Sequence, residues 1–291
     1  MLTQISHIVM AVADLGRCRT FYGQTLELPQ IGQGVNATGQ AVCLFQVGPS
    51  VLELQEDPVA PLFGQTESAL RPEINHFALY VDDLDATYDT LKDRDIEFDG
   101  VPHTTELGHR NMQRALVTCT DPNGFHIQLA QVVDPRPHLE GRRAAKKRMA
   151  AALQADAVLF GGIDHIATYC TDFSATRAFY KDILGLEEFF HSTTREEGVE
   201  VAAGFEQGAF AIGGTDIELA TDETWQELGP GEIRQLSFAT DDIDQAYEVV
   251  ESRGGKPEGP AADWSPLADV HRRAFMLRGP DGLVVQIIQR L

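Results

Sequence analysis

The feature that most constrains this 291-residue chain is an internal repeat. Residues 5–28 read ISHIVMAVADLGRCRTFYGQTLEL, and residues 163–186 read IDHIATYCTDFSATRAFYKDILGL. The intervals His7–Asp14–Tyr22 recur as His165–Asp172–Tyr180. Two further segments, 74–91 and 233–250, share a related frame through His76, Asp83 and Tyr88 and through Gln235, Asp242 and Tyr247. Self-similarity of this kind marks repeated supersecondary units. Each unit opens with an alternating strand and ends it at an aspartate placed to cap a helix with an inward Phe-Tyr or Tyr stripe. Short β-rich segments follow at 41–55, 111–120 and 125–133, then at 199–220, 273–277 and 283–290. The turns DPNG (121–124) and GPDG (279–282) punctuate them. The fold class expected is α+β, with four βαβββ modules paired into two cupped sheets and helices on the convex face.

Residues 134–160 break the repeat, so the expected organisation is a first two-module domain at 1–133, a linker at 134–160 and a second domain at 161–291. That agrees with a soft prior of about 150 residues per domain. The linker carries Arg142, Arg143, Lys146, Lys147 and Arg148, which read as the solvated face of a short basic helix rather than an anion patch. Elsewhere acid dominates: 23 Lys and Arg against 44 Asp and Glu give a formal net charge of −21. Such a surface repels phosphate backbones and anionic lipid, so nucleic-acid and membrane partners are excluded from the expectation. The chain has no run of 18 apolar residues and no basic, then apolar, start. Cys18, Cys43, Cys119 and Cys170 are scattered and read as free thiols of a reducing compartment, so a cytoplasmic location is expected.

The repeat also aligns polar residues where core residues are expected. His7, His76, His165 and Gln235 occupy one point of the first strands; Glu53, Gln128, Glu218 and Gln286 occupy one point of the last. A carboxylate in an apolar strand is costly unless it is paired or bound to metal. Imidazole and carboxylate from separate strands are the donor types used by Zn²⁺, Ni²⁺, Fe²⁺ or Mn²⁺.

The strand-DL-helix-FY-x-x-x-L-x-L openings, the DPNG turn and these His and Glu positions resemble the vicinal oxygen chelate superfamily, which includes glyoxalase I, extradiol dioxygenases, methylmalonyl-CoA epimerase and fosfomycin-resistance proteins. The resemblance covers nearly all the chain outside the linker and implies one divalent metal that chelates a small substrate through two adjacent oxygens. Two pairings of modules are open. Pairing within halves gives His7, Glu53, His76 and Gln128 in one cup and His165, Glu218, Gln235 and Gln286 in the other. The swapped pairing gives His76, Gln128, His165 and Glu218, and separately His7, Glu53, Gln235 and Gln286. Linker lengths favour pairing within halves, because 23 positions separate Glu53 from His76 and 37 separate Gln128 from His165. The first-half set is therefore the expected metal site.

Two His and a carboxylate resemble the facial triad of non-haem Fe(II) oxygenases, so Fe(II)-dependent extradiol cleavage of a vicinal diol such as a catechol leads. In that reading Glu53 and His109 are the candidate catalytic groups, with His109 as acid/base. Thr118 stands where such enzymes carry Tyr, and Gln128 where they carry a ligand Glu. The alternative is a glyoxalase-like lyase or isomerase, with Zn or Ni as Lewis acid. Methylmalonyl-CoA epimerase resembles His-Gln-His-Glu in chain order, of which the first half's His-Glu-His-Gln is the mirror. A third reading is non-catalytic sequestration of a small, antibiotic-like molecule. His126 reads as a lip residue beside Gln128. Arg114 and Arg273 (RAL, RAF) are matched candidates for neutralising an anionic substrate, and Trp225 and Trp264 sit in punctuated loops. Manganese as the metal and a homo-oligomeric state are left open.

Overall fold

Each module begins with a strand that an aspartate ends. The structure, a computed structural model, describes residues 1–57, 74–107, 112–135, 147–151, 158–192, 206–221, 233–280 and 282–291. Module 1 holds β1 (Leu2–Val12), α1 (Leu15–Thr20), β2 (Gln30–Val35), β3 (Ala41–Val47) and β4 (Ser50–Glu56). Module 2 holds β5 (Ile74–Tyr80), α2 (Leu84–Lys92), β6 (His103–Leu107), β7 (Met112–Thr120) and β8 (His126–Pro135). A helical turn, α3 (147–151), lies in the linker. Module 3 runs through β9 (Gly162–Tyr169), α4 (Phe173–Ala178), β10 (Glu187–Ser192), β11 (Gln207–Ile212) and β12 (Thr215–Ala220). Module 4 comprises β13 (Ile233–Thr240), α5 (Ile243–Ser252), β14 (Ala262–Trp264), β15 (Arg272–Arg278) and β16 (Val284–Arg290).

The four aspartates act as the repeat predicts. Asp14, Asp83, Asp172 and Asp242 accept from the backbone N–H of Arg17, Ala86, Ala175 and Gln245 at 2.9–3.0 Å, satisfying a donor that the first helical turn leaves unpaired. In modules 1 and 3 the helix then widens into a π-turn, where Leu26 N–H donates to the Phe21 carbonyl and Leu184 N–H to that of Phe179. The widening sends Tyr22 and Tyr180 into the core. All four cysteines are free and buried.

The first strand of every module runs parallel to its last and, on its other edge, antiparallel to the first strand of another module. The partners are swapped relative to the pairing that linker lengths favour. β1 pairs with β13, so modules 1 and 4 make the sheet β14-β15-β16-β13-β1-β4-β3-β2; β5 pairs with β9, so modules 2 and 3 make β10-β11-β12-β9-β5-β8-β7-β6. The set His7, Glu53, His76 and Gln128 is therefore divided between two sheets, as is the set His165, Glu218, Gln235 and Gln286. Linker length is a weak guide because closure entropy grows slowly, each doubling costing only about 0.6 kcal/mol.

Modules 1 and 2 still touch, through their helical side. Tyr22 donates to Asp121 of the DPNG turn at 3.0 Å, Ala13 N–H donates to Asn123, and Arg94 pairs with Glu27. Modules 3 and 4 meet where Arg253 lies against Gly185 and the Ile183 carbonyl. One continuous apolar core runs through all four modules. The polar faces lie on the opposite side of each curled sheet.

The seam between the sheets is tight at Gly48, whose φ of +57° and position against the chain at Gly161 both demand glycine. A Cβ there would stand 2.1 Å from the Gly161 carbonyl oxygen. Gly48→Ala is expected to lose about 2–3 kcal/mol, the class of backbone clash and strain. Gly39→Ala, at φ +85° with open space around it, should lose only about 1 kcal/mol. Guanidinium denaturation midpoints of the two variants measure the difference.

Candidate functional site

In the cup of modules 2 and 3, β5 and β9 bring His76 and His165 together edge to face, with an interplanar angle of 85° and Nε2 to Nε2 at 3.2 Å. Each ring is fixed from behind by the residue before it in sequence. His76 Nδ1 donates to Asn75 Oδ1 at 2.7 Å, and His165 Nδ1 to Asp164 Oδ2 at 2.9 Å. Those bonds leave both Nε2 atoms directed at one point. Gln128 Oε1, on β8, lies 3.1 Å from His165 Nε2. Burial, then the neighbouring His165, holds His76 well below the usual imidazole pKa, so it is neutral at neutral pH.

Beside the imidazoles is a buried charge cluster. Arg114, on β7, reaches Asp164 Oδ2 through Nε at 2.9 Å, Asp216 Oδ2 through NH2 at 2.5 Å, and Glu218 through NH1. Burial alone would lower the Arg114 pKa; Asp164, Glu218 and Asp216 outweigh it and raise it. Burial pushes the Glu218 carboxyl up, but His165 and Arg114 bring it below its ordinary range. Three carboxylates against one guanidinium leave a formal charge of −2 in a largely water-free cup. Among the described residues no three His, Cys, Asp or Glu side chains converge as an ion site, and Glu218 is held on Arg114. The His76–His165 separation nevertheless matches two nitrogen ligands on one cation, which at about 2.0–2.1 Å each stand roughly 3 Å apart.

The cup of modules 1 and 4 contains His7, Glu53, Gln235 and Gln286, but a guanidinium stands among them. Arg272 NH1 lies 3.3 Å from both ring nitrogens of His7 and 4.0 Å from Glu53 Oε2. Ser237 Oγ is 2.9 Å from His7 Nε2, and Gln235 donates to Gln286 at 3.1 Å. Trp264 stacks on His7 with centroids 5.9 Å apart and interplanar angle 11°, and covers Arg272. Burial, then Arg272, holds His7 well below its usual pKa; burial raises Glu53. With one carboxylate and one guanidinium this cup is formally neutral, and its single imidazole lacks a second to share an ion.

Sequence reasoning matched Arg114 with Arg273, one position out. Arg114 and Arg272 each stand 14 residues before the cup glutamine of the next strand, Gln128 or Gln286, whereas Arg273 points outward to Asp244. Counting back from those glutamines finds the match. The polar residues preceding each histidine (Ser6, Asn75, Asp164) were an equally legible signal. Thr118 sits directly beside Gln128 in the β7–β8 ladder, and His126 beside His76, partly exposed. His109 and Trp225, and of the basic cluster Arg142, Arg143 and Lys146, lie outside the described residues. A cavity of about 540 Å³ edged by Leu28, Pro49, Met149 and Phe160 contains none of the polar residues of either cup.

With this geometry in view, comparison with known proteins decides the family. The model of the glyoxalase/bleomycin resistance protein/dioxygenase superfamily matches residues 4–129 and again 162–287. The chain belongs to that superfamily. Two curated relatives are each 29% identical: YwbC of Bacillus subtilis (strain 168), over 44% of this chain and 97% of its own length, and YaeR of Escherichia coli (strain K12), over 44% and 95%. The superfamily member also shares its fold with a putative dioxygenase of Bacillus subtilis (TM-score 0.69, 16% identity, 99% of this chain and 86% of that one). Zea mays glyoxalase I gives a TM-score of 0.64 at 17% identity, over 99% of this chain and 92% of that one. Among the described residues no helix is long and apolar enough to cross a membrane.

Two predictions follow from the buried charges. Arg114→Met strands three carboxylates and is expected to cost about 3–5 kcal/mol by urea denaturation. His7 binds no proton in the fold until well below pH 6.5, whereas the unfolded chain protonates it near 6.5. The contribution is therefore complete above pH 6.5 and lost as pH falls from there, by up to about 1.4 kcal/mol per pH unit. His7→Gln should flatten that part of the stability–pH curve relative to the parent.

Proposed function

We propose that the cup of modules 2 and 3 binds one divalent metal through His76, His165, Glu218 and Gln128 and acts on a small substrate bearing two adjacent oxygens. One observation carries the reading: two imidazoles with anchored Nδ1 atoms aim their Nε2 atoms at one point of a cup with formal charge −2. Metal-ligating histidines are held from behind in this way, and the second hydrogen bond both orients the ring and raises its basicity. Divalent-metal binding is a property of superfamily members, and the N/O donor set suits Zn, Ni, Fe or Mn. When bound, the cation supplies Lewis acidity to the paired substrate oxygens.

The chain's own groups then divide the work. Asn75 and Asp164 hold the rings. Arg114 joins Asp164 to Glu218, so that one rigid chain of charge sets both an imidazole and a carboxylate. Ala78, Ala167 and Ala209 stand in register beside the polar positions and keep the face low enough for a substrate. Glu218, ionised at neutral pH, accepts the proton released from the carbon next to a substrate carbonyl.

This arrangement favours glyoxalase-like lyase or isomerase chemistry over the extradiol dioxygenation that leads from sequence. His76, His165, Glu218 and Gln128 would hold the ion with four donors from the chain, against three in a facial triad, and the ion would supply Lewis acidity to a bidentate substrate. In the swapped pairing the cup reads His76, Gln128, His165, Glu218 in chain order, the order resembled by methylmalonyl-CoA epimerase. Thr118, beside Gln128, has no phenol to serve the dioxygenase role.

Elemental analysis after loading and desalting should find about one metal per chain; His76→Ala and His165→Ala should each lose it while His7→Ala retains it. Loss in His7→Ala alone refutes the assignment. Zn- or Ni-loaded protein should convert hemithioacetals or isomerise 2-oxo compounds. Sustained oxygen uptake with catechols after anaerobic Fe(II) loading would return the dioxygenase reading.

A further inference from the structure

Arg272 occupies the place that Arg114 holds in the other cup, but its surroundings have changed sign. Asp164 and Asp216 flank Arg114; the positions equivalent to them in the repeat are Ser6 and Val51. Arg272 is buried to 3% exposure, yet its closest carboxylate oxygen among the described residues stands 4.0 Å away. Only NH1 makes contacts, with His7 and toward Glu53; Nε and NH2, the edge that grips a carboxylate in a two-bond fork, donate to nothing among the described residues. Burial brings this guanidinium down to about 10, with Glu53 opposing and Arg290 at the rim adding to the fall. Arg114 moves the other way because three carboxylates surround it.

A second, independent group points the same way. Gln286, fully buried on β16, spends Oε1 on Gln235 and Ser237, while its Nε2 has no partner among the described residues. A buried donor left unmade is costly; Glu53 Oε2 of the same cup is also without a hydrogen-bond partner among the described residues, at 4.0 Å from Arg272, so the Gln286 amide and the open edge of Arg272 are left to share an outside acceptor. The cup is small: Trp264 lies over Arg272 and His7, and Leu267 reaches across to Gly32 and Gly34 of β2, where any Cβ would meet it at 3.0 Å.

We propose that the cup of modules 1 and 4 is a metal-independent binding site for a small monocarboxylate, held by the Nε/NH2 edge of Arg272 and by Gln286 Nε2 beneath Trp264. Arg272 meets Glu53 only through NH1 at 4.0 Å, so its planar Nε/NH2 fork is left for a carboxylate, and Arg290 at the rim adds the positive charge that offsets a monoanion. The inference is independent of the metal assigned to the other cup.

Trp264 supplies the readout. In Trp225→Phe protein, where it is the sole tryptophan, titration with acetate or propionate in excess EDTA should change its fluorescence saturably. The neutral amides acetamide and propionamide should not. Arg272→Gln should weaken the carboxylates roughly tenfold or more, as expected for losing a charged hydrogen-bond pair. Gln286→Leu, which keeps the charge, should weaken them several-fold and stands as the test if Arg272→Gln does not fold. Equal binding of acids and amides, no saturable change, unchanged affinity in the variants that fold, or tighter binding of inorganic phosphate than of acetate each overturns the proposal.

Discussion

The antiparallel seams between first strands, β1 with β13 and β5 with β9, are the constraint on which everything else depends. Every first strand carries a His or Gln at the same point, so the seam decides which two of them meet. His76 faces His165 because β5 lies against β9, and His7 faces Ser237 and Gln235 because β1 lies against β13. The helical sides of modules 1 and 2, and of 3 and 4, are packed together independently, by Tyr22 on Asp121 and Arg253 on Gly185. Each half is thus one packed body on its helical side while contributing one module to each sheet.

Once the seams are made, the cups diverge through a few charges. Both place an arginine 14 residues before a cup glutamine. Around Arg114 three carboxylates close in and leave negative charge in excess. Around Arg272 two of those carboxylates become Ser6 and Val51, and the guanidinium itself fills the place of a cation between His7 and Glu53. Burial magnifies this difference, since charges removed from water interact more strongly and cost more when unpaired. A repeated scaffold thus carries two cups of different charge.

Much of the architecture was legible because local physics writes it locally. The four aspartate caps, the βαβββ order and the inward Tyr22 and Tyr180 follow from spacing and appear where spacing puts them, while Tyr88 and Tyr247 are only partly buried. The module pairing was not legible, since the comparison of 23 with 37 residues weighs little when loop entropy rises only logarithmically. Arg272 was missed by aligning dipeptides rather than counting from Gln286. Ser6, Asn75 and Asp164, each immediately before a histidine, were visible but carry meaning only when their side chains are seen to reach the ring's Nδ1.

By itself the sequence determined the repeat, the helix starts, the strand faces and the donor types available, because those depend on residues close together in the chain. Tertiary structure alone decided which donors share a cup, and which arginine is buried with three acids and which with one. Those outcomes depend on strand edges 89 residues apart at His76–His165 and 230 at His7–Ser237, and on the removal of water from the groups they bring together, and no local pattern encodes either.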